Sequence, residues 1–287
     1  MSHNLIQDAL FSAKSVAELD RIAIEQRQIP SLVLMKRAGR SVLTELLETF
    51  GPPSLLSIFC GSGNNAGDGY IVAALAAAKN IQVQVIELSQ NLSQDASSAR
   101  NFAAEANVCF VPFDSSLSIE EGIIVDSLLG TGYLGNLRQP YGEAIKLIND
   151  SGLPLVAVDI PSGLNADTGH VAEVAVQADL TVTFIGAKQG LFTGQGPAFC
   201  GDIILDSLDV PADIYPEVPA SAELLNLSDL LDYLPRLASD GHKTQRGHSM
   251  IVGGDRGYGG AAIMAAEACL KTGAGMTSLA TRPEHVA

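Results

Sequence analysis

Nine residues, Gly61-Ser62-Gly63-Asn64-Asn65-Ala66-Gly67-Asp68-Gly69, join the apolar run 55–60 to the Ala-rich stretch 70–79. A strand, a glycine-rich turn and a helix N-terminus make a site for a phosphate. Glycine lets the backbone approach a ligand, and free N–H groups with the helix dipole favour an anion. Asn64, Asn65 and Asp68 add amide and carboxylate oxygens that such a turn does not need. Two further apolar runs end in polar turns. Residues 122–125 lead into Asp126-Ser127-Leu128-Leu129-Gly130-Thr131-Gly132, and residues 155–158 lead into Asp159-Ile160-Pro161-Ser162-Gly163-Leu164-Asn165-Ala166-Asp167-Thr168-Gly169. In a parallel sheet the three ends converge on one crevice.

Each polar residue has an ordinary reading beside the chemical one. Asn65 and Asp68 suit turn and cap chemistry, and Asp126 suits an N-cap. Asp159 differs, because a carboxylate closing a deeply apolar strand is desolvated and suited to acid–base work. Ser162 and Thr168 read as loop hydroxyls. Lys188 reads either as a phosphate partner or as a solvated lysine. Asn65, Asp126 and Ser162 together offer an all-oxygen cage with one negative charge, suited to a large monovalent cation rather than zinc. Gly61-x-Gly63-x-x-Ala66 also fits the permissive dinucleotide fingerprint, with Glu87 placed as a ribose-binding acid. A NAD-dependent oxidoreductase therefore competes with other readings, as does a non-catalytic nucleotide-binding scaffold. No histidine falls in the three strand-end turns, which speaks against a His-based dehydrogenase.

The elements that must position these residues follow from the pattern. Val/Ile/Leu runs predict strands at 55–60, 81–88, 107–111, 122–127, 154–159, 179–185 and 201–206, and helices fit 67–79, 93–106 and 140–150. Strands without clean alternation are covered on both faces, so the fold class is α/β, a three-layer, doubly wound, Rossmann-like sheet. Ahead of it, a capping box at Ser15-Val16-Ala17-Glu18 predicts a helix to Arg27, and Ser31 caps a second helix over 32–50. The expected domains are 1–210, a proline-rich linker 211–241 with a short helix near 228–234, and an incomplete βαβ unit over 242–287.

The chain has 287 residues, 47% of them hydrophobic, enough for a large core. Its formal net charge of -15 excludes nucleic acid and anionic lipid as probable classes of partner. Cys60, Cys109, Cys200 and Cys269 form no CxxC pair and read as reduced core residues of a cytoplasmic protein. No run is long and apolar enough for a membrane span.

Taken in order, GSGNNAGDG, DSLLGTG, VAVDIPSGLNADTG and ADLTVTFIGAKQGL resemble the NAD(P)H-hydrate epimerase family over roughly residues 15–210. The stretch HKTQRGHSMIVGGDRGYGGAAIMAAEACLKTGAGMTSLAT resembles the opening of an ADP-dependent NAD(P)H-hydrate dehydratase domain, a ribokinase-like fold. The resemblance implies that Asn64, Asn65, Ala66, Gly67 and Asp68 bind the hydrated nicotinamide dinucleotide. It implies that Gly130, Thr131, Gly132, Tyr133, Leu134, Gly135 and Asn136 cradle its phosphates beside Tyr141. Asp159 would meet the reacting end, and Asn65, Asp126 and Ser162 would hold one potassium ion. Ala66 replaces a usual glycine and Gln189 a common proline. Ala261 matches a substrate-contacting position of the dehydratase, whose later motifs, and with them its ADP or ATP, fall outside this chain. The implied activity is interconversion of the R and S forms of NADHX or NADPHX at C6, through loss and return of the hydroxyl. Dehydration is expected to be absent and the tail 242–287 poorly packed. The N-terminal helix pair offers a face for a homodimer or higher homo-oligomer.

Overall fold

The computed structural model describes residues 8–133, 135, 137–231, 233, 234 and 240–285. The chain divides into two compact units, Met1–Leu225 and Asn226–Ala287.

The first unit opens with strand β1 (Ala9–Phe11), helix α1 (Ala13–Arg21) and helix α2 (Ser31–Phe50). Alternating elements follow: β2 (Leu56–Cys60), α3 (Asn64–Ala78), β3 (Val83–Glu87), α4 (Gln94–Glu105), β4 (Cys109–Pro112), β5 (Ile123–Ser127), α5 (Tyr141–Asp150), β6 (Leu155–Val158) and β7 (Leu180–Phe184). The unit ends with β8 (Ala187–Lys188), α6 (Gly196–Phe199), β9 (Asp202–Asp206) and β10 (Ala222–Glu223). Seven strands form a parallel sheet in the order β4-β3-β2-β5-β6-β7-β9. The chain runs outward from β2 through β4, then restarts at β5 on the other side of β2, so the topological switch point lies between β2 and β5.

Both faces of this sheet are buried, as the unbroken apolar runs predict. Leu56, Ile58 and Cys60 pack toward α2, α3 and α4, while Phe59 and Ile124 pack toward Ile145 and Ile148 of α5. The seven strands expected from sequence are present, most trimmed by one or two residues at an end, while β4 starts two residues later and runs one residue further than expected.

Three local differences have physical causes. The cap of α1 is Ser12, whose Oγ accepts from Ser15 N at 3.1 Å, while Glu18 is bonded to Arg21 instead of closing a box on Ser15. The helix then loosens into a π turn over Ile22–Gln26, with Arg27 N bonded to Ile22 O at 3.1 Å. Second, α3 starts at Asn64, so most of the glycine-rich stretch is helical. Gly67 and Gly69 do not serve a left-handed turn: a Cβ would strike Met35 at the first and Ser127 at the second, so they let α3 pack closely on α2 and β5. Third, residues 211–225, read as linker, pack on the first unit. Ile214 and Val218 are buried, and β10 pairs antiparallel with β1, which pairs in parallel with β8. Of the cysteines, Cys60 and Cys200 are buried but Cys109 is exposed on the edge strand β4, contrary to its reading as a core residue.

The second unit holds helix α7 (Leu227–Leu231) and a parallel pair, β11 (His248–Val252) and β12 (Met276–Ala280), joined through α8 (Gly259–Lys271). Its apolar side chains stand open: Met250, Val252, Ile263, Met264 and Leu270 are all exposed. Part of the expected helix near 228–234, and the segment 235–239, lie outside the described residues. No helix among the described residues is long and apolar enough to cross a membrane.

Candidate active site

A cavity of about 890 Å3 opens at the carboxyl ends of β2, β5, β6 and β7, at the switch point. Its size falls near the upper end of the usual range for ligand pockets, roughly 300–1,000 Å3. The turns after β2 and β5 form its floor. Gly61 N donates to Ser127 O at 3.2 Å, and a Cβ on Gly61 would overlap Leu128 O, so only glycine permits this approach.

Beneath that floor the three predicted cage residues come together. Asp126, fully buried, accepts from Ser162 N and Ser162 Oγ, each at 2.7 Å, and from Leu128 N at 3.2 Å. Burial nonetheless pushes its carboxyl up to about 6, the hydrogen bonds from Ser162 and Leu128 opposing the rise. The backbone of Leu129 ties in the other two residues. Its N–H donates to Ser162 Oγ at 2.8 Å, and its carbonyl accepts from Asn65 Nδ2 at 2.9 Å. This leaves Asn65 Oδ1 buried with no hydrogen-bond partner. A buried amide oxygen without a donor is costly in an apolar setting and calls for a water, a ligand donor or a cation.

Asp159 ends β6 with φ 67°, a strained conformation for a residue other than glycine. Strain of this kind persists where its surroundings over-determine it. Here Asp159 N donates to Val182 O at 2.8 Å, and the carboxylate accepts from Thr183 Oγ1 at 3.2 Å and Phe184 N at 3.3 Å. Its main partner is Lys188, which forms an ion pair with Asp159 Oδ1. The expectation of a solvated or phosphate-binding Lys188 is corrected: the side chain is 1% exposed and also donates to Thr183 Oγ1 (3.1 Å) and Phe184 O (3.0 Å). Asp159 is therefore not a lone desolvated carboxylate but half of a buried pair.

Two more carboxyls turn to the same cavity. The Asp68 carboxyl has no hydrogen-bond partner among the described residues, and desolvation, then Asp159 and Asp20, hold it well above the usual carboxylate range against the pull of Lys188. Asp20, on α1, is pushed up to about 6, chiefly by burial, with Lys188 lowering and Asp159 raising it. Sequence reading passed over Asp20. Its signal was a carboxylate in register with the buried stripe Val16, Leu19 and Ala23 of an amphipathic helix. Asp95 and Arg138 also line the cavity and were missed.

Of the other predicted substrate contacts, Asn64, Asn65, Gly130, Thr131, Gly132, Tyr133 and Tyr141 line the cavity. Ala66 and Gly67 are buried behind it, and Gly135 is not among its walls. Leu134 and Asn136 lie outside the described residues. Glu87 is not free for a ribose: it accepts from Arg100 Nε at 2.6 Å and from Tyr70 Oη at 2.8 Å. Ala261 lies on α8 of the second unit, exposed.

Residues 31–190 match the family model described as YjeF-related protein N-terminus, more than half of the chain. The chain belongs to that family. Residues 249–287 match a second model, NAD(P)H-hydrate dehydratase. Among similar proteins, the bifunctional NAD(P)H-hydrate repair enzyme Nnr of Coxiella burnetii is 40% identical over 96% of this chain and 57% of its own length. The bifunctional repair enzyme of Leishmania major is 36% identical over 99% of this chain and 52% of its own, and that of Escherichia coli 33% identical over 98% and 55%. The chain thus spans about half the length of the relatives it matches. The crystal structure of yeast ynu0 superposes with a TM-score of 0.60 at 19% identity, covering 76% of this chain and 99% of the yeast chain, which shows the shared fold. In this YjeF-related domain the Asp159–Lys188 pair and the orphaned Asn65 oxygen lie within the matched region, while the α1 residues and Leu208 that line the cavity fall outside it.

Proposed function

We propose that the first unit epimerises hydrated NAD(P)H, interconverting the R and S hydroxyls at C6 of the nicotinamide ring. The observation that carries this reading is the Asp159–Lys188 pair, a proton-carrying group on the wall of a dinucleotide-sized cavity. A lone carboxylate is ionised at neutral pH and has no proton to give. Lys188 brings an ammonium N–H into a hydrogen bond with Asp159, so the pair as a whole carries a proton. The pair can then protonate the leaving hydroxyl, and its carboxylate can stabilise the iminium-like cation that the ring nitrogen forms. The raised pKa of Asp68, caused by desolvation and then by Asp159 and Asp20, disfavours a second negative charge beside Asp159.

Arg138 is the remaining cation lining the cavity among the described residues, and its guanidinium has no partner among them. It lines the same cavity as the turn 130–133 and suits the dinucleotide's phosphates, which the protein's acidic field otherwise repels. Asn65 Oδ1, the Asp126 carboxylate and Ser162 Oγ fit one potassium ion, since one negative charge with neutral oxygens suits a monovalent cation. Such an ion supplies charge compensation for Asp126 and fixes three turns to one another. The oxidoreductase reading loses support with Glu87 tied to Arg100 and Tyr70. The relatives' names support NAD(P)HX as substrate, and no dehydration chemistry is assigned to residues 226–287.

The test is chromatographic. Purified R-NADHX is incubated with the protein and potassium, and S-epimer formation is compared with the spontaneous rate. Acceleration lost in Asp159→Asn is the expected result. A folded wild-type protein that leaves the spontaneous rate unchanged would overturn the proposal.

A further inference from the structure

The epimers carry their hydroxyls on opposite faces of the ring. Water that leaves from one face must return to the other, and the ring itself screens the second face from a group touching the first. Asp159 enters the cavity at the end of β6 of the seven-stranded sheet, and Lys188 enters from β8, the short strand paired with β1. Asp20 enters from α1, a separate wall formed with Val16, Ala17 and Ile24. It lies within electrostatic reach of Lys188, Asp159 and Asp68, and its carboxyl has no hydrogen-bond partner among the described residues. The π turn begins two residues later, a feature that re-aims side chains and recurs at functional sites.

We propose that Asp20 is the second proton carrier of the cavity and serves the ring face turned away from Asp159. This rests on the epimerase reading. From the epimer whose hydroxyl faces Asp159, the C6–O bond breaks as that oxygen takes a proton from the Asp159–Lys188 pair and departs as water. The ring-nitrogen lone pair becomes the second bond of C=N+. A water on the other face adds its oxygen to C6, one of its protons passes to the Asp20 carboxylate, and the C=N electron pair returns to nitrogen. One water leaves and one enters, nothing is oxidised, and exchange with solvent resets both groups. The reverse reaction runs from Asp20 to the pair.

Asp68 does not fit this role. It enters from α3 beside Asn64 and Asn65, not from the α1 wall, and desolvation, then Asp159 and Asp20, raise its pKa. Asp20, pushed up to about 6, both donates and accepts a proton near neutrality.

The experiment follows R-NADHX in H2(18)O with wild type, Asp20→Asn and Asp20→Glu, separating epimers by chromatography and weighing each by mass spectrometry. In wild type every inversion brings in one (18)O. In Asp20→Asn, inversion is expected to fall about a hundredfold or more, while the pair still expels and returns water on its own face. Labelled starting epimer then accumulates faster than inverted product, and Glu restores part of the inversion. Inversion by Asp20→Asn at the wild-type rate would overturn the proposal. So would exchange and inversion falling together in a variant with an unchanged melting temperature. Wild type showing neither exchange nor inversion would overturn the epimerase reading itself, and Asp20 with it.

Discussion

Potassium should stabilise the first unit, and the amount follows from Asp126. The carboxyl rises from its ordinary 3.8 to about 6 when fully buried in the folded protein. That difference corresponds to roughly 3 kcal/mol. Because the folded value is the higher one, the stabilising effect of the neutral carboxyl is fully present below 3.8 and is lost as pH rises through about 6. At pH 7.5, without a cation, the fold carries the charged form. A potassium ion touching Asn65 Oδ1, Asp126 and Ser162 Oγ offsets that cost, and binding at a hundred times its Kd contributes about 2.7 kcal/mol. For a unit of this size, roughly 2–4 °C per kcal/mol gives a rise in Tm of about 5–10 °C. The assay is thermal melting at pH 7.5 and pH 5 in potassium chloride or choline chloride at equal ionic strength, following the first unit's transition. The shift should be specific to potassium, smaller at pH 5, where protons compete for Asp126, and reduced in Asp126→Asn. Equal melting in the two salts at pH 7.5, or an undiminished shift in Asp126→Asn, would refute the reasoning.

Breaking the Asp159–Lys188 pair from either side leaves a charge without its partner, so Asp159→Asn and Lys188→Met should each cost on the order of 3 kcal/mol in urea unfolding. The double variant should cost clearly less than the sum while remaining inactive, and additivity within about 0.5 kcal/mol would show the pair to be uncoupled. Gly61→Ala should destabilise by about 2–3 kcal/mol, because its Cβ overlaps the backbone at Leu128 O. Gly63→Ala, with nothing within 4 Å of the added Cβ, should stay within about 0.5 kcal/mol, and equal effects from the two would contradict the packing account of Gly61.

The sheet was legible because its strands are apolar runs buried on both faces, and the same runs located Asp126 and Asp159 at strand ends. What those residues touch was not legible. The cage depends on Leu129, whose side chain gives no hint that its backbone serves Asn65 and Ser162. Gly67 and Gly69 look like loop residues in a sequence, since glycine reads alike whether it permits a turn or a close helix contact. Lys188 could not be paired with Asp159 from the sequence because β8 is a two-residue strand held in place by β1, a strand too short to leave a pattern. That pairing also explains why Asp20 was missed. The register Phe11↔Lys188 sets the lysine beside the strand that feeds α1, and Gly186 has no side chain where the Phe11 ring lies. Ala13 N then donates to Asp167 Oδ1 at 2.6 Å, anchoring the start of α1 to the turn that follows Asp159. One short parallel pairing thus positions both the ammonium that pairs with Asp159 and the helix that carries Asp20. The proton-handling groups of the cavity are fixed to one another through the N-terminal strand, the element for which local sequence carries the least signal.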